Sequence, residues 1–176
     1  YGPSETSISA MIFVTTSDAV RGASPSFIPL GAPLPNVAIY LLDDAQQLVP
    51  NGVPGEIYIG GVGVAGGYWQ RPALSAERFI TLPAWDGSAT PLNLYRTGDL
   101  ARRLADGRYE FVGRVDSQVK IRGFRIELGE IEQQIRPLAG IEEVVVLAQP
   151  TAGGDKQLIA YVQEQAAVAS GAEPPV

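Results

Sequence analysis

Three stretches of this 176-residue chain hold residue types whose spacing could do chemistry. In the first, Asp99 follows Thr97-Gly98, and Arg114, Lys120, Arg122 and Arg125 come soon after it. A carboxylate held between two turns can accept two hydrogen bonds from a vicinal diol, and clustered guanidinium and ammonium groups can meet anionic oxygens. Together they suit a phosphorylated or hydroxyl-rich ligand. The same basic residues alternate along the chain and would equally form the solvated face of a half-buried hairpin. The second stretch is the opening Tyr1-Gly-Pro-Ser-Glu-Thr-Ser. Gly-Pro forces a turn, and the hydroxyls of Ser4, Thr6 and Ser7 gather around Glu5. Such a turn can offer N–H and hydroxyl groups to a phosphate and a carboxylate to a hard cation. The plainer possibility is a frayed terminus with a helix cap. The third is Gly60–Gly67, which has the look of a phosphate loop. No Lys follows it and no helical period begins, so it reads as a glycine turn between strands.

Composition narrows the chemistry further. There is no His and no Cys, which excludes Ser-His-Asp and Cys-His catalysis, a disulfide framework and the commonest metal ligand. A net charge of −6 and a pI near 4.6 argue against nucleic acid or an anionic membrane surface as partner. No apolar run is long enough to cross a membrane as a helix and no signal peptide is visible, so the expected location is cytoplasmic. At 45% hydrophobic the chain can bury a core. Its length suits one domain or a large piece of one, and an opening at Tyr1 without Met reads as an excised or incomplete piece.

The elements that must position these residues follow from periodicity. Met11–Thr16, Val37–Leu42, Glu56–Ile59 and Tyr109–Val112 read as strands, as does Leu100–Leu104, which turns at Asp106-Gly107. Residues 17–35 and 83–93 are loops. Tyr68–Phe79 is a helical segment with Ser75 as its N-cap. Val119, Ile121, Phe124 and Ile126 continue as extended chain, with Gly123 marking a bend or bulge. Leu128, Ile131 and Ile135 then fall on one helical face over roughly residues 128–137, with acids in the early turns where the helix dipole favours them. Strands at Glu143–Ala148 and Leu158–Val162, joined by a loop over 150–155, close a β-α-β-β order. The change from strands with few helices to this order marks a boundary: residues 1–115, a joint at 116, residues 117–164, and a tail or cut linker over 165–176.

Two segments now carry a resemblance. Tyr95-Arg-Thr-Gly-Asp-Leu100 and Gly113-Arg-Val-Asp-Ser-Gln-Val-Lys-Ile-Arg-Gly-Phe-Arg-Ile-Glu-Leu-Gly-Glu-Ile-Glu132 resemble the ribose-binding and hinge motifs of the adenylate-forming enzymes. The wording is most similar to that of the amino-acid-activating adenylation domains of nonribosomal peptide synthetases. Tyr1-Gly-Pro-Ser-Glu5 resembles a further motif, with Ser4 where the family has Thr. The Gly55–Tyr68 segment resembles another, with Gly66 where the family has Arg, so any contact made by that Arg is lost. The resemblance runs from Tyr1 to about Gln163. It implies an α+β fold: the distorted antiparallel β-barrel portion of an adenylate-forming core, then the start of a small α/β subdomain, as a partial domain.

The resemblance also assigns roles. Tyr1 stacks on adenine, Ser4 contacts phosphate, Glu5 helps hold Mg²⁺, Asp99 binds the ribose hydroxyls and Arg114 supports the ribose and phosphate side. Ile8 and Ser9 fall where the family lines its amino-acid pocket. Asp116 is the hinge, and Lys120 and Gly123 lie on the loop that swings in for the thioester step, Lys120 as its catalytic residue. The implied activity is that of a ligase of antibiotic and secondary-metabolite biosynthesis: an amino acid is activated with ATP and Mg²⁺ as aminoacyl-AMP and loaded onto phosphopantetheine of a peptidyl carrier domain. An MbtH-like accessory protein is a further implied partner. The family's phosphate-gripping loop would precede Tyr1 and its catalytic lysine would follow Val176, so the 176 residues alone are expected to be inactive. An aryl- or acyl-CoA ligase or luciferase-like enzyme is the alternative within the class, and a non-catalytic module that binds a carrier or accessory protein is the alternative outside it.

Overall fold

The computed structural model of the chain describes residues 1–15, 28–85, 87–151 and 155–165. They fall into two compact units, Tyr1–Val115 and a second that begins at Asp116.

The first unit is built on a five-stranded antiparallel sheet. Its strands are β3 (Val37–Leu42), β4 (Gly55–Gly61), β5 (Phe79–Leu82), β6 (Leu92–Arg103) and β7 (Tyr109–Arg114). The order is β3-β4-β6-β5, and β7 also pairs with β6. Tyr95 of β6 lies between Ile59 and Phe79, and Ala101 lies between Gly55 and Phe111. One edge of β6 therefore runs along β4, while β5 and β7 share the other edge. The sheet is the curled half-barrel that the sequence implies. Both faces of β4 are covered. Ile57 and Ile59 pack with Ala10, Met11, Leu41, Ala101 and Tyr109, while Tyr58 packs with Leu42 and Leu94. Burial on both faces is why this strand reads as a nearly continuous apolar run.

Several elements differ from expectation. Among the described residues of the strand expected over Met11–Thr16, Met11–Ile12 (β1) alone forms a strand, and it pairs with the equally short β2 (Ala32–Pro33). β2 interrupts the loop expected over 17–35, of which residues 17–27 lie outside the described residues, as does Thr16. β6 starts at Leu92, inside the loop expected over 83–93. The helix α1 is Pro72–Arg78, shorter than expected, and Ser75 is not its cap: Arg71 holds that position. Pro72 sets the start, since its fixed φ and missing N–H suit a first turn. The Ser75 hydroxyl instead accepts the Tyr68 N–H at 2.8 Å and lies 2.8 Å from the Arg71 carbonyl, to which it donates.

The second unit opens with the hairpin β8 (Val119–Ile121) and β9 (Phe124–Ile126). The bend expected at Gly123 is its two-residue turn. Arg122 and Gly123 both have left-handed φ, 51° and 83°, the twist that a tight hairpin demands. Helix α2 (Leu128–Ile135) ends ahead of the expected 137: Arg136 keeps α geometry as its C-cap, and Pro137 has no N–H with which to continue the ladder. Its apolar face packs Leu128, Ile131 and Ile135 on Val144 and Val146. Those two belong to β10 (Ile141–Pro150), which pairs antiparallel with β11 (Lys156–Glu164), both longer than expected. Glu132 of α2 accepts the Val146 N–H at 2.8 Å. Residues 166–176 of the expected tail lie outside the described residues. No helix among the described residues is long and apolar enough to cross a membrane.

Candidate functional site

The site grows from an irregularity in β6. Between the pairs Glu56↔Leu100 and Tyr58↔Arg96, β4 advances two residues while β6 advances four. The surplus is absorbed at Thr97, Gly98 and Asp99, a bulge that re-aims side chains. Gly98 makes it possible, with φ of 76°. Asp99 therefore lies within a strand, at a bulge, and not between two turns as expected. On the other edge of β6 its ladder partner is Arg114 of β7.

The bulge is pinned from beneath. Thr97, 2% exposed, donates its hydroxyl to the Ile57 carbonyl at 2.8 Å and accepts the Asp99 N–H at 3.0 Å. Glu56, 7% exposed, accepts the Gly98 N–H at 2.9 Å and the Arg96 Nε–H at 3.0 Å.

The Asp99 carboxylate has a donor on each oxygen. The Tyr1 hydroxyl donates to Oδ2 at 2.5 Å, and Arg114 Nη1 donates to Oδ1. Arg114 Nη2 also donates to the Thr97 carbonyl at 3.2 Å. Both charged side chains are about six-sevenths buried, at 15% and 13% exposure, where charge-assisted hydrogen bonds are stronger than in water. Burial, and next the Asp99 charge, hold the Tyr1 phenol far above its usual ionisation range, so it stays a donor.

The opening turn is a second element of the site. Gly2 is required there, because a Cβ at that position would come within 2.2 Å of the Ile8 carbonyl oxygen. A 3₁₀ turn, Ser4–Thr6, follows Pro3. Two of the three hydroxyls expected to surround Glu5 have other partners: Thr6 donates to the Pro3 carbonyl at 3.2 Å and Ser7 to the Gly63 carbonyl at 3.0 Å. The glycine turn answers, with the Ala65 N–H on the Glu5 carbonyl at 2.9 Å and the Tyr68 hydroxyl on Glu5 Oε1 at 2.6 Å. Burial, then that bond, raises the Tyr68 phenol well above its ordinary value. Ser4 and Ser9 are exposed, and Ile8 is 76% exposed with φ of 74°. Among the described residues no three His, Cys, Asp or Glu come together as a metal cage.

Tyr1, Asp99 and Arg114 are thus one cluster, and Glu5 belongs to the loop stitched beside Tyr1. Asp116 and Lys120 belong to the second unit. There Asp116 accepts the Gln118 N–H at 3.2 Å, and Lys120 is exposed on β8 opposite Arg125. Sequence reasoning did not find Glu56, Arg96 or Tyr68. The available signal was Glu56, an acid inside the run Gly55–Gly61 that otherwise reads as a doubly buried strand.

Comparison with known proteins bears on this geometry. Residues 1–69 match the family model for AMP-binding enzymes. Over 163 residues, 92% of this chain, it is 50% identical to tyrocidine synthase 3 of Brevibacillus parabrevis, of which it spans 2%. It is 47% identical over 165 residues to tyrocidine synthase 1 of the same organism, covering 94% of this chain and 14% of that protein. The chain thus spans only a small part of the curated relatives it matches. A solved nonribosomal peptide synthetase protein containing adenylation and carrier (PCP) domains superposes with a TM-score of 0.75 at 35% identity, covering 94% of this chain and 32% of that one. A four-domain nonribosomal peptide synthetase solved with AMP and glycine gives a TM-score of 0.56 at 47% identity, covering 94% and 12%.

Proposed function

Because the chain belongs to the AMP-binding enzymes, as part of an adenylation domain of the nonribosomal peptide synthetase kind, we propose that this domain activates an amino acid with ATP and passes it to a carrier-domain thiol. The observation that carries this reading is the buried Asp99 carboxylate between Tyr1 and Arg114. Its Oδ2 already accepts from a hydroxyl, so its lone pairs suit the hydroxyls of a ribose. Arg114 holds the carboxylate aimed. Tyr1 offers an aromatic ring for the adenine, and Ser4 an exposed hydroxyl for a phosphate. Glu5, oriented by Tyr68, fits Mg²⁺, which usually takes one or two carboxylates and completes its shell with phosphates and waters. When bound, that ion supplies charge neutralisation at the phosphates. Ile8 and Ser9 offer the substrate side chain no charge.

In the first half-reaction the amino-acid carboxylate oxygen bonds to the α-phosphorus of ATP as the bond to the pyrophosphate oxygen breaks. In the second the carrier thiolate bonds to the acyl carbon and AMP departs. Positioning and electrostatic stabilisation dominate such transfers, which suits a chain without histidine. Asp116 is the pivot between the two steps, and Lys120 acts in the second. A peptidyl carrier domain is the partner, with an MbtH-like protein as an accessory.

The test is amino-acid-dependent exchange of labelled pyrophosphate into ATP by a complete adenylation domain containing this chain. Exchange with one or a few amino acids is the expected result. Exchange with aryl or fatty acids alone, followed by transfer to coenzyme A, would move the assignment to the CoA ligases. Absence of saturable ATP binding would make the chain a binding module. The 176 residues by themselves are expected to give no exchange, and a signal above the blank would overturn that part of the reading.

A further inference from the structure

Glu56 is a buried acid with no role in the reading above, and its carboxylate faces the place where β6 leaves its ladder with β4. The bulge at Thr97, Gly98 and Asp99 removes the Gly98 N–H from regular pairing with β4. A buried N–H without an acceptor is costly. Glu56 Oε1 supplies that acceptor at 2.9 Å. The same carboxylate is gripped by Arg96 Nε–H, 3.0 Å from each oxygen. Arg96 itself is partly exposed, at 39%, against 9% for the Glu56 side chain. The acid is therefore held in place from the surface while it holds the bulge from below. Its hydrogen-bond partner Gly98 immediately precedes Asp99.

We propose that Glu56, locked by Arg96, is a positioning residue that sets the placement of the Asp99 carboxylate toward the nucleotide ribose. Glu56 touches no substrate and acts only through the Gly98 N–H. This inference rests on the assignment of Asp99 to the ribose. Reach matters more than charge: an acceptor must lie where Oε1 lies. Gln keeps that acceptor and loses the charge, whereas Asp keeps the charge and falls one methylene short.

The experiment uses the complete adenylation domain containing this chain and measures kcat/KM for ATP and for 2′-deoxy- and 3′-deoxy-ATP in pyrophosphate exchange. Thermal melting checks folding. Preference for ATP over the deoxy analogues reports the Asp99 hydrogen bonds alone. Glu56→Asp is expected to cut that preference by about tenfold, the scale of one hydrogen bond to a charged group, while the KM for the amino acid stays unchanged. Glu56→Gln is expected to retain most of the preference. Arg96→Leu, at a partly exposed position, serves if Glu56→Asp does not fold, and is expected to lower the preference as well. An undiminished preference in Glu56→Asp or, where that variant is unfolded, in Arg96→Leu overturns the proposal. So does an equal loss in the Gln and Asp variants, which would make Glu56 a purely structural charge. An unmodified domain that exchanges pyrophosphate without preferring ATP would overturn the ribose assignment of Asp99 and this inference with it. A domain that shows no exchange fails at the adenylation reading itself.

Discussion

Asp99 and Lys120 both sit near arginines on antiparallel strands, yet their surroundings are opposite in kind. Asp99 is paired across β6 and β7 with Arg114, closed on its second oxygen by Tyr1, and backed by a bulge with three further hydrogen bonds beneath it. Lys120 and Arg122 stand on a two-stranded hairpin whose charges meet water. Arg122 lies 3.9 Å from Asp155, with both side chains at least two-thirds exposed, a pair of little energetic weight. A binding carboxylate must be in place before its ligand arrives, because ordering it afterwards subtracts from affinity. A group that acts only when a second substrate arrives has no such need, and exposed charge on a short hairpin is what that role permits.

The largest effect that would break this comparison is at Asp99. Asp99→Ala in the complete domain should weaken ATP binding by about 1–3 kcal/mol, the scale of lost hydrogen bonds to a charged group. The amino-acid pocket should be untouched. Calorimetry checks both, and equal ATP affinity in variant and parent would sink the ribose role. The next effect is confined to one half-reaction. Asp116→Pro fixes φ and removes an N–H at the start of the second unit. It should slow thioester formation far more than pyrophosphate exchange. A common loss factor in the two assays would make Asp116 a folding residue.

A pH experiment sharpens the burial side of the contrast. Burial raises the phenols of Tyr1 and Tyr68, and to a lesser degree Tyr58 and Tyr109. Their folded-state values lie above the unfolded value near pH 10. Below that pH both states are protonated and the contribution to stability is complete. Above it the unfolded chain loses phenolic protons that the folded one keeps, so stability falls as pH rises. Ultraviolet titration should show these tyrosines resisting ionisation until the first unit unfolds. Smooth titration of all seven tyrosines near pH 10 would contradict the buried cluster.

The same contrast explains what the sequence could convey. Strands with alternating or continuous apolar residues, the Asp106-Gly107 turn and the amphipathic face of α2 were legible because each depends on local periodicity. Asp99 and Arg114 were legible as candidates through their motifs. Their partnership was not, because it depends on the β6–β7 register, which itself shifts between Leu100 and Ala101. Glu56 went unnoticed for the same reason: its partner in the bulge lies on another strand. Ser75 misled because a hydroxyl near a helix start is a good cap in general, while Pro72 had already fixed where this helix begins. The hairpin at Arg122-Gly123 was read as a bend because a left-handed Arg is not signalled by composition.

The smallest expected effect lies at Lys120, and it tests the exposed half of the comparison. Lys120 is exposed at the middle of a three-residue strand. Surface substitutions of this kind stay within about 0.5 kcal/mol of the parent. Lys120→Ala should therefore leave thermal melting, ATP affinity and pyrophosphate exchange where they were. If Lys120 acts when the carrier arrives, transfer of the activated acyl group to the carrier thiol should still slow. Measured side by side, the two half-reactions separate the possibilities. A slowed transfer with unchanged exchange places Lys120 in the second step. Unchanged transfer returns the hairpin charges to a solvated face, and Asp99 would then head a site with no contribution from this lysine.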